Sequence, residues 1–146
     1  MTPEHAAQLV QLVRSREAAA LGTLHAGAPF VSMVPYAVLQ DGSGLVVHVS
    51  RLAGHTKDML AEPRVSLLVM QTEGGGVAAQ ALARISIQGE AREAAKGSDG
   101  ERECREAYLA RFPEAAPLTE FGDFSFFVVR PSQARFVAGF AQAMSL

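Results

Sequence analysis

Apolar positions near the N-terminus recur with a helical period. From Ala6 to Val13 they fall three and four residues apart, which gives a helix one apolar face. Thr2-Pro3-Glu4 comes before them and supplies a capping hydroxyl, a proline suited to the first turn and an acidic group at the positive end of the helix. The pattern predicts a helix at about residues 3–17.

After this helix the pattern changes to the alternation and β-branched runs that are typical of strands. The predicted strands cover residues 18–24, 30–36, 45–49, 65–70, 82–90 and 124–130, with a continuation over 133–137. Pro35 falls inside the second strand and indicates an edge, a bulge or the end of that strand, because proline cannot donate to the ladder. Two more helices are predicted at 52–60 and 101–112, each followed by a proline.

Six strands joined mostly by short turns need an architecture that hides their edges, and a small closed or split barrel does so. The helices are too few for an alternating βαβ fold. The prediction is a mainly β protein with flanking helices (α+β), built as one six-stranded antiparallel barrel domain over residues 1–146. A dense phenylalanine cluster is either core or a dimer face, and we expect at least half of it to be core. Its members are Phe121, Phe124, Phe126 and Phe127.

Composition narrows the function classes. Hydrophobic residues make up 49% of the chain and charged residues 19%, which excludes an intrinsically disordered protein. A net charge of -2 argues against a nucleic-acid partner. Cys104 is the single cysteine, so an internal disulfide and a cysteine zinc site are excluded, and no other metal site is predicted. Without a secretory leader or a long apolar run, we expect a cytoplasmic protein that does not contact the membrane.

The segment from Ser50 to Lys57 carries the clearest chemistry. A predicted strand runs there into a helix start, where free backbone N–H groups and the helix dipole favour an anion. Ser50 and Thr56 add hydroxyl groups, and Arg51 and Lys57 add positive charge. These groups suit a phosphate. An ordinary solvated helix start explains the same residues equally well, and no residue stands out as a catalytic acid or base.

Several segments of the chain also follow one another in a familiar order. They are Ala20-Leu-Gly-Thr-Leu24, Gly27-Ala-Pro-Phe-Val-Ser-Met-Val-Pro-Tyr36, Ser50-Arg-Leu-Ala-Gly-His-Thr-Lys-Asp-Met-Leu60, Glu62-Pro-Arg-Val-Ser-Leu-Leu68, Ala83-Arg-Ile-Ser-Ile-Gln-Gly89, Tyr108-Leu-Ala-Arg-Phe-Pro113, Phe121-Gly-Asp-Phe124 and Gly139-Phe-Ala-Gln-Ala143. In these segments the chain resembles the FMN-binding split-barrel family, the pyridoxamine 5'-phosphate oxidase-like proteins. Within that family it is most similar to the branch related to haem-utilisation proteins of the HugZ type.

The resemblance implies a homodimeric flavoprotein, an oxidoreductase with two FMN sites between its subunits and a small-molecule substrate. It implies that the phosphate is held by Ser50, Arg51, His55, Thr56 and Lys57. It further implies that the strand around Ser32, Met33, Val34 and Pro35 lies along the flavin ring through its backbone, and that Arg84 lies near the site.

Two other functions stay open. In the first, the chain is a non-enzymatic FMN- or haem-binding protein. In the second, it is a dimer that has lost its flavin and works through its interface. The sequence departs from the family pattern at Asp58, where asparagine is frequent, and at Ala141, where a second glycine is usual. It also contains no tryptophan, which is part of the substrate tail of pyridoxine phosphate oxidases, so we do not expect vitamin B6 oxidation. Substrate, electron donor and the use of haem or F420 instead of FMN are left open.

Overall fold

The computed structural model describes residues 1–140 and 142–146. The helices are α1 (Pro3–Ser15), α2 (Gly54–Ala61) and α3 (Asp99–Arg111), and short 3-10 turns cover Ala79–Ala81, Pro113–Ala115 and Leu118–Glu120. The strands are β1 (Ala18–His25), β2 (Ala28–Pro35), β3 (Ala37–Val38), β4 (Leu45–Ser50), β5 (Arg64–Met70), β6 (Arg84–Glu93), β7 (Phe124–Val137) and β8 (Ala143–Ser145).

The strands form one antiparallel sheet in the order β2-β1-β5-β6-β7-β4-β3, with β8 added beside β7. β2 and β3 lie at opposite ends of this order, yet only Tyr36 separates them in the chain. They are therefore two halves of one bent strand, and this strand curls the sheet into a barrel of six long strands. The predicted six-stranded split barrel is confirmed, and Pro35 is the last residue of β2, where the chain leaves the ladder.

The core fills the inside of the barrel because alternate strand residues point inward. In β1, for example, Ala19, Leu21 and Thr23 are buried while their neighbours are partly or fully exposed. A second apolar cluster joins α3 to the outer side of β4 and β7. Phe126 and Phe127 are both buried and Phe121 is exposed, so about half of the phenylalanine cluster is core, as predicted.

The structure adds three features to the predicted elements. β7 is one continuous strand of 14 residues that includes the predicted continuation. β3 and β8 are only two and three residues long and were not predicted. α3 begins at Asp99, inside the predicted polar break, because the hydroxyl of Ser98 accepts a hydrogen bond from the Glu101 amide at 3.1 Å. Among the described residues, no helix has the length and apolar character needed to cross a membrane.

Candidate functional site

The turn between β4 and α2 is fastened by its own polar groups. The Ser50 carbonyl accepts hydrogen bonds from the Ala53 amide at 3.1 Å and from the Thr56 hydroxyl at 2.6 Å. The Ser50 hydroxyl accepts one from the Leu52 amide at 3.1 Å. Thr56 is 0% exposed, so its hydroxyl holds the turn together and does not face solvent. Ser50 and Thr56 therefore lie in one turn. The resemblance implied that both hold a phosphate, whereas the Thr56 hydroxyl is engaged within the turn.

α2 starts without a capping side chain. Ala53 occupies its N-cap and makes no side-chain hydrogen bond, whereas Thr2 and Ser98 cap the other two helices. The amide groups of the first turn of α2 therefore point outward with the positive end of the helix dipole. We call this first turn, together with Ser50, Arg51 and Lys57, the α2 notch.

The two cations of the α2 notch differ in their surroundings. The Arg51 guanidinium pairs with the carboxylate of Glu93, which lies at the end of β6. Lys57 is exposed, and among the described residues it takes part in no ion pair. An anion that enters the α2 notch meets a free ammonium group and a guanidinium that a carboxylate already partly neutralises.

His55 connects α2 to β2. Its Nδ1 lies 3.2 Å from the Ser32 hydroxyl, and both side chains are half-buried. Burial lowers the pKa of His55, and the nearby Asp58 carboxylate opposes this shift. His55 is therefore a neutral imidazole at pH 7, hydrogen-bonded to the strand that the resemblance places along a flavin ring.

Asp58 is held by two side chains of β1. Its carboxylate accepts a hydrogen bond from the buried Thr23 hydroxyl at 2.9 Å and contacts the His25 Nδ1 at 2.7 Å. The hydrogen bond from His25 is the main cause of the lowered pKa of Asp58, and the one from Thr23 adds to it. The sequence identified the departure from asparagine but missed the His25 partner, because the two residues are 33 positions apart.

The last residues of β2 are exposed on either side of a buried one. Met33 is 67% exposed and Pro35 is also exposed, whereas Val34 is 2% exposed and belongs to the core. The side chains of Met33 and Pro35 are available to an apolar ligand, and Val34 has only backbone groups to offer.

Arg84 lies apart from the α2 notch within one chain. It begins β6, whereas Glu93, the partner of Arg51, ends it. A ten-residue strand is roughly 30 Å long. The Arg84 guanidinium donates to the carbonyls of Gln80 and Leu82 at 3.0 and 2.9 Å. In this structure it therefore holds the preceding loop in place.

The outer face of β1, β2 and β5 carries small and apolar residues. Two shallow grooves of about 600 and 620 Å³ run across it and share several wall residues. We call this surface the outer sheet face. It is defined by Ala20, Gly22, Val31, Ser66 and Leu68.

An antiparallel six-stranded barrel with a helix start at the end of one barrel strand defines the split-barrel class of proteins. Comparison with known proteins agrees. The family model described as pyridoxamine 5'-phosphate oxidase matches residues 5–138. This chain belongs to the pyridoxamine 5'-phosphate oxidase family.

Three similar proteins refine this placement. The chain is 39% identical over 117 residues to the chloroplastic non-canonical heme oxygenase HOZ of Arabidopsis thaliana, covering 80% of this chain and 34% of that protein. It is 31% identical over 140 residues to the heme oxygenase HutZ of Vibrio cholerae serotype O1, covering 93% and 77%. A heme-binding protein from Mycobacterium smegmatis has a solved structure that matches with a TM-score of 0.88 at 26% identity, covering 100% of this chain and 59% of that one. The chain thus spans about a third of the Arabidopsis protein.

Proposed function

We propose that this chain binds FMN between two copies of itself and acts as a flavin-dependent oxidoreductase. The α2 notch carries the proposal: an uncapped helix start lies beside an exposed lysine and an arginine at the end of a barrel strand. When bound, FMN supplies the transfer of hydride or single electrons, and the protein binds and orients it. The resemblance and the family membership support this assignment.

The donors of the α2 notch fit a phosphate group. Backbone amides of the first turn of α2, the Ser50 hydroxyl, Arg51 and Lys57 offer directional donors and positive charge. Thr56 contributes indirectly, because its hydroxyl holds the turn in shape. Thr23 and His25 of β1 engage the Asp58 carboxylate, which reduces its repulsion of a phosphate.

An apolar ring needs a wall, and β2 supplies one. Met33 and Pro35 present exposed apolar side chains, and Ser32 is tied to His55 at the edge of the α2 notch. Met33 and Pro35 point to the face of β2 opposite to Ser32, because alternate residues of a strand face opposite sides. A ligand that reaches them from the α2 notch would therefore lie along the edge of β2 that pairs with no other strand among the described residues. His55, neutral at pH 7, then links the two parts of the site.

A second copy accounts for the outer sheet face. Gly22, Ser66 and Ala20 leave its centre low, and Val31 is 67% exposed. The charged residues of the groove walls, Arg64, Glu90 and Arg135, stand around this centre. Such a face favours close packing against an identical face in a two-fold dimer. Arg84 lies apart from the α2 notch of its own chain, so we infer that it acts at the site of the partner subunit.

Haem is the second candidate ligand. Two curated relatives are named as heme oxygenases. In this chain the His25 side chain is 70% exposed, and its Nδ1 is fixed by the Asp58 carboxylate at 2.7 Å. A carboxylate that orients an imidazole is typical of metal-ligating histidines. His25 is therefore the residue that we expect to hold haem iron.

Separate titrations of the purified protein with FMN, riboflavin and haem test both proposals. We expect FMN to bind much more tightly than riboflavin, which lacks the phosphate. The double variant Arg51→Ala/Lys57→Ala should lower the affinity for FMN at least tenfold, because two charge-assisted contacts are lost. It should leave the affinity for riboflavin unchanged. The double variant Arg102→Ala/Arg130→Ala removes the same charge outside the α2 notch and is the control.

The outcomes separate the two ligands. Equal affinity for FMN and riboflavin, or an Arg51→Ala/Lys57→Ala variant that binds FMN like the wild type, would refute the phosphate site. Saturable haem binding that His25→Ala abolishes, without binding of FMN, would replace the first proposal by the second.

A further inference from the structure

A cavity beneath α1 is not part of the flavin or haem proposals. It has a volume of about 310 Å³ and lies between α1, the hairpin that joins β3 to β4, and the barrel strands β6 and β7. This volume is at the lower end of the range for small-molecule sites, roughly 300–1,000 Å³. We call it the α1 cavity.

The walls of the α1 cavity are apolar and reach the barrel core. Leu45, Ile85 and Ile87, all buried core residues, form its floor. Leu9 and Val13 of α1 form its roof. Because no polar side chain stands on that floor, the site suits a hydrocarbon segment better than water.

α1 packs on the core through Leu12 and through two partly buried residues, Leu9 and Val13. Of its 13 residues, all of them described, Leu12 alone is buried. Polar contacts hold the helix in place: Gln8 Nε2 donates to the Ala138 carbonyl at 2.9 Å, and the Tyr36 hydroxyl donates to the Val13 carbonyl at 2.5 Å. The helix is thus held by side-chain packing and by these hydrogen bonds, and the cavity lies between its Leu9, Val13 and Arg14 and the barrel strands.

One end of the α1 cavity is cationic. Arg14 lies on its wall and also on the wall of an adjacent recess of about 420 Å³, where Arg16 and Arg111 lie as well. Arg111 is held in position, since it donates to the Arg14 carbonyl at 2.5 Å and its guanidinium lies 5.4 Å from the centre of the Tyr36 ring. Glu17 also lines the recess. Among the described residues, no carboxylate comes within 4.0 Å of these three guanidinium groups, the distance that defines the ion pairs found elsewhere in the chain.

We propose that the α1 cavity binds a free medium-chain monocarboxylate, with its hydrocarbon chain on the floor and its carboxylate at Arg14 and the neighbouring arginines. Charge complementarity selects an anionic head, because arginine binds carboxylates through paired N–H donors. The volume admits one short chain and not the two chains of a membrane lipid. The proposal does not depend on FMN or haem. Ala134 and Leu146 also line a groove of the outer sheet face, so the titrations are run beside a measurement of the oligomeric state.

Calorimetric titration with straight-chain carboxylates below their micelle concentrations tests this. From butanoate to octanoate, each added methylene should tighten binding about fourfold, which follows from about 0.8 kcal/mol for each buried CH₂ group. The gain should stop once the chain fills the cavity. Arg14→Gln should lower the affinity for decanoate at least fivefold and leave the affinity for the neutral decanol unchanged. Arg102→Gln on α3 is the matched control.

Substitutions that fill the α1 cavity provide a second test. Val13→Phe in the roof and Ala134→Phe in the opposite wall should each reduce decanoate binding more than tenfold while keeping the melting temperature of the free protein. Gln11→Phe adds the same ring to the exposed side of α1 and should change nothing.

Absence of saturable decanoate binding to the wild type would overturn the proposal. So would binding that survives both cavity-filling variants, which would locate the ligand elsewhere. Equal affinity for decanoate and decanol, with no effect of Arg14→Gln, would overturn the anionic part of the assignment.

Discussion

At the scale of single residues, Asp58 shows how one departure from a family pattern is accommodated. Its carboxylate is buried, and it accepts from Thr23 while contacting His25. Asp58→Ala should lower the free energy of unfolding by about 2–3 kcal/mol, because it leaves the buried Thr23 hydroxyl without its acceptor. Asp58→Asn keeps an acceptor for Thr23 and should cost only about 1 kcal/mol. Chemical denaturation at pH 7 measures both values, and equal losses for the two variants would contradict this role.

His48 makes a pH-dependent contribution to stability. It is buried among aromatic rings, 4.4 Å from Phe126 and 5.1 Å from Phe124 between ring centres. Burial lowers its pKa from 6.5 to about 4, helped by the charges of Lys96 and Arg105. Between these two pH values the unfolded chain therefore binds more protons than the folded one, and stability falls as the pH is lowered.

The corresponding variant is His48→Phe. Its stability should lack this part of the acid sensitivity, a difference on the order of 3 kcal/mol between pH 6.5 and pH 4. Denaturation curves of both proteins at several pH values measure it. Parallel pH profiles would show that His48 is not the titrating group.

At the scale of elements, the long strand β7 depends on one glycine of its neighbour. The register between β6 and β7 shifts at Gln88 and Gly89, and Ser132 is the extra residue on β7. A Cβ atom at Gly89 would lie 2.2 Å from the Arg130 carbonyl oxygen, a contact that only movement of the backbone relieves. Gly89→Ala should therefore lower the free energy of unfolding by about 2–4 kcal/mol.

Gly122→Ala is the matched control for this prediction, because a Cβ atom there meets nothing within 4 Å. Thermal denaturation compares the two variants. If the Gly89→Ala and Gly122→Ala proteins had the same melting temperature, the bulge would tolerate a side chain at Gly89.

The elements also show what sequence pattern was able to predict. Long periodic segments such as β5 and α1 were located within two residues, because alternation and helical spacing are local properties. β3 was missed because two residues carry no period, and the barrel closes through it only by pairing with β4. At the candidate site, the pattern placed Ser50 and Thr56 in one turn but gave no sign of the Arg51–Glu93 or His25–Asp58 pairs, which join residues 42 and 33 positions apart. Ala141 lies outside the described residues, so the glycine-to-alanine departure there has no structural account.

At the scale of the whole molecule, the proposed dimer and the proposed cofactor site depend on each other. If the outer sheet face packs against its copy, then β2 with Met33 lies at the edge of that interface, because β2 is the neighbour of β1 in the sheet. A cofactor held at the α2 notch and along β2 would then be enclosed by residues of both subunits. Loss of the dimer should therefore weaken binding of the cofactor even when the α2 notch is intact.

Gly22→Arg tests this dependence. Gly22 lies at the centre of the outer sheet face and lines both of its grooves, and a Cβ atom there meets only ordinary contacts at 3.6 and 3.8 Å. The variant should therefore fold and yet sediment as a monomer, because a large charged side chain opposes packing of the two faces. Its FMN affinity should fall at least tenfold relative to Ala116→Arg, which places the same side chain at an exposed position outside this face. A Gly22→Arg protein that stays dimeric would show that another surface forms the dimer, and a monomeric one that keeps full FMN affinity would show that a single chain holds the cofactor.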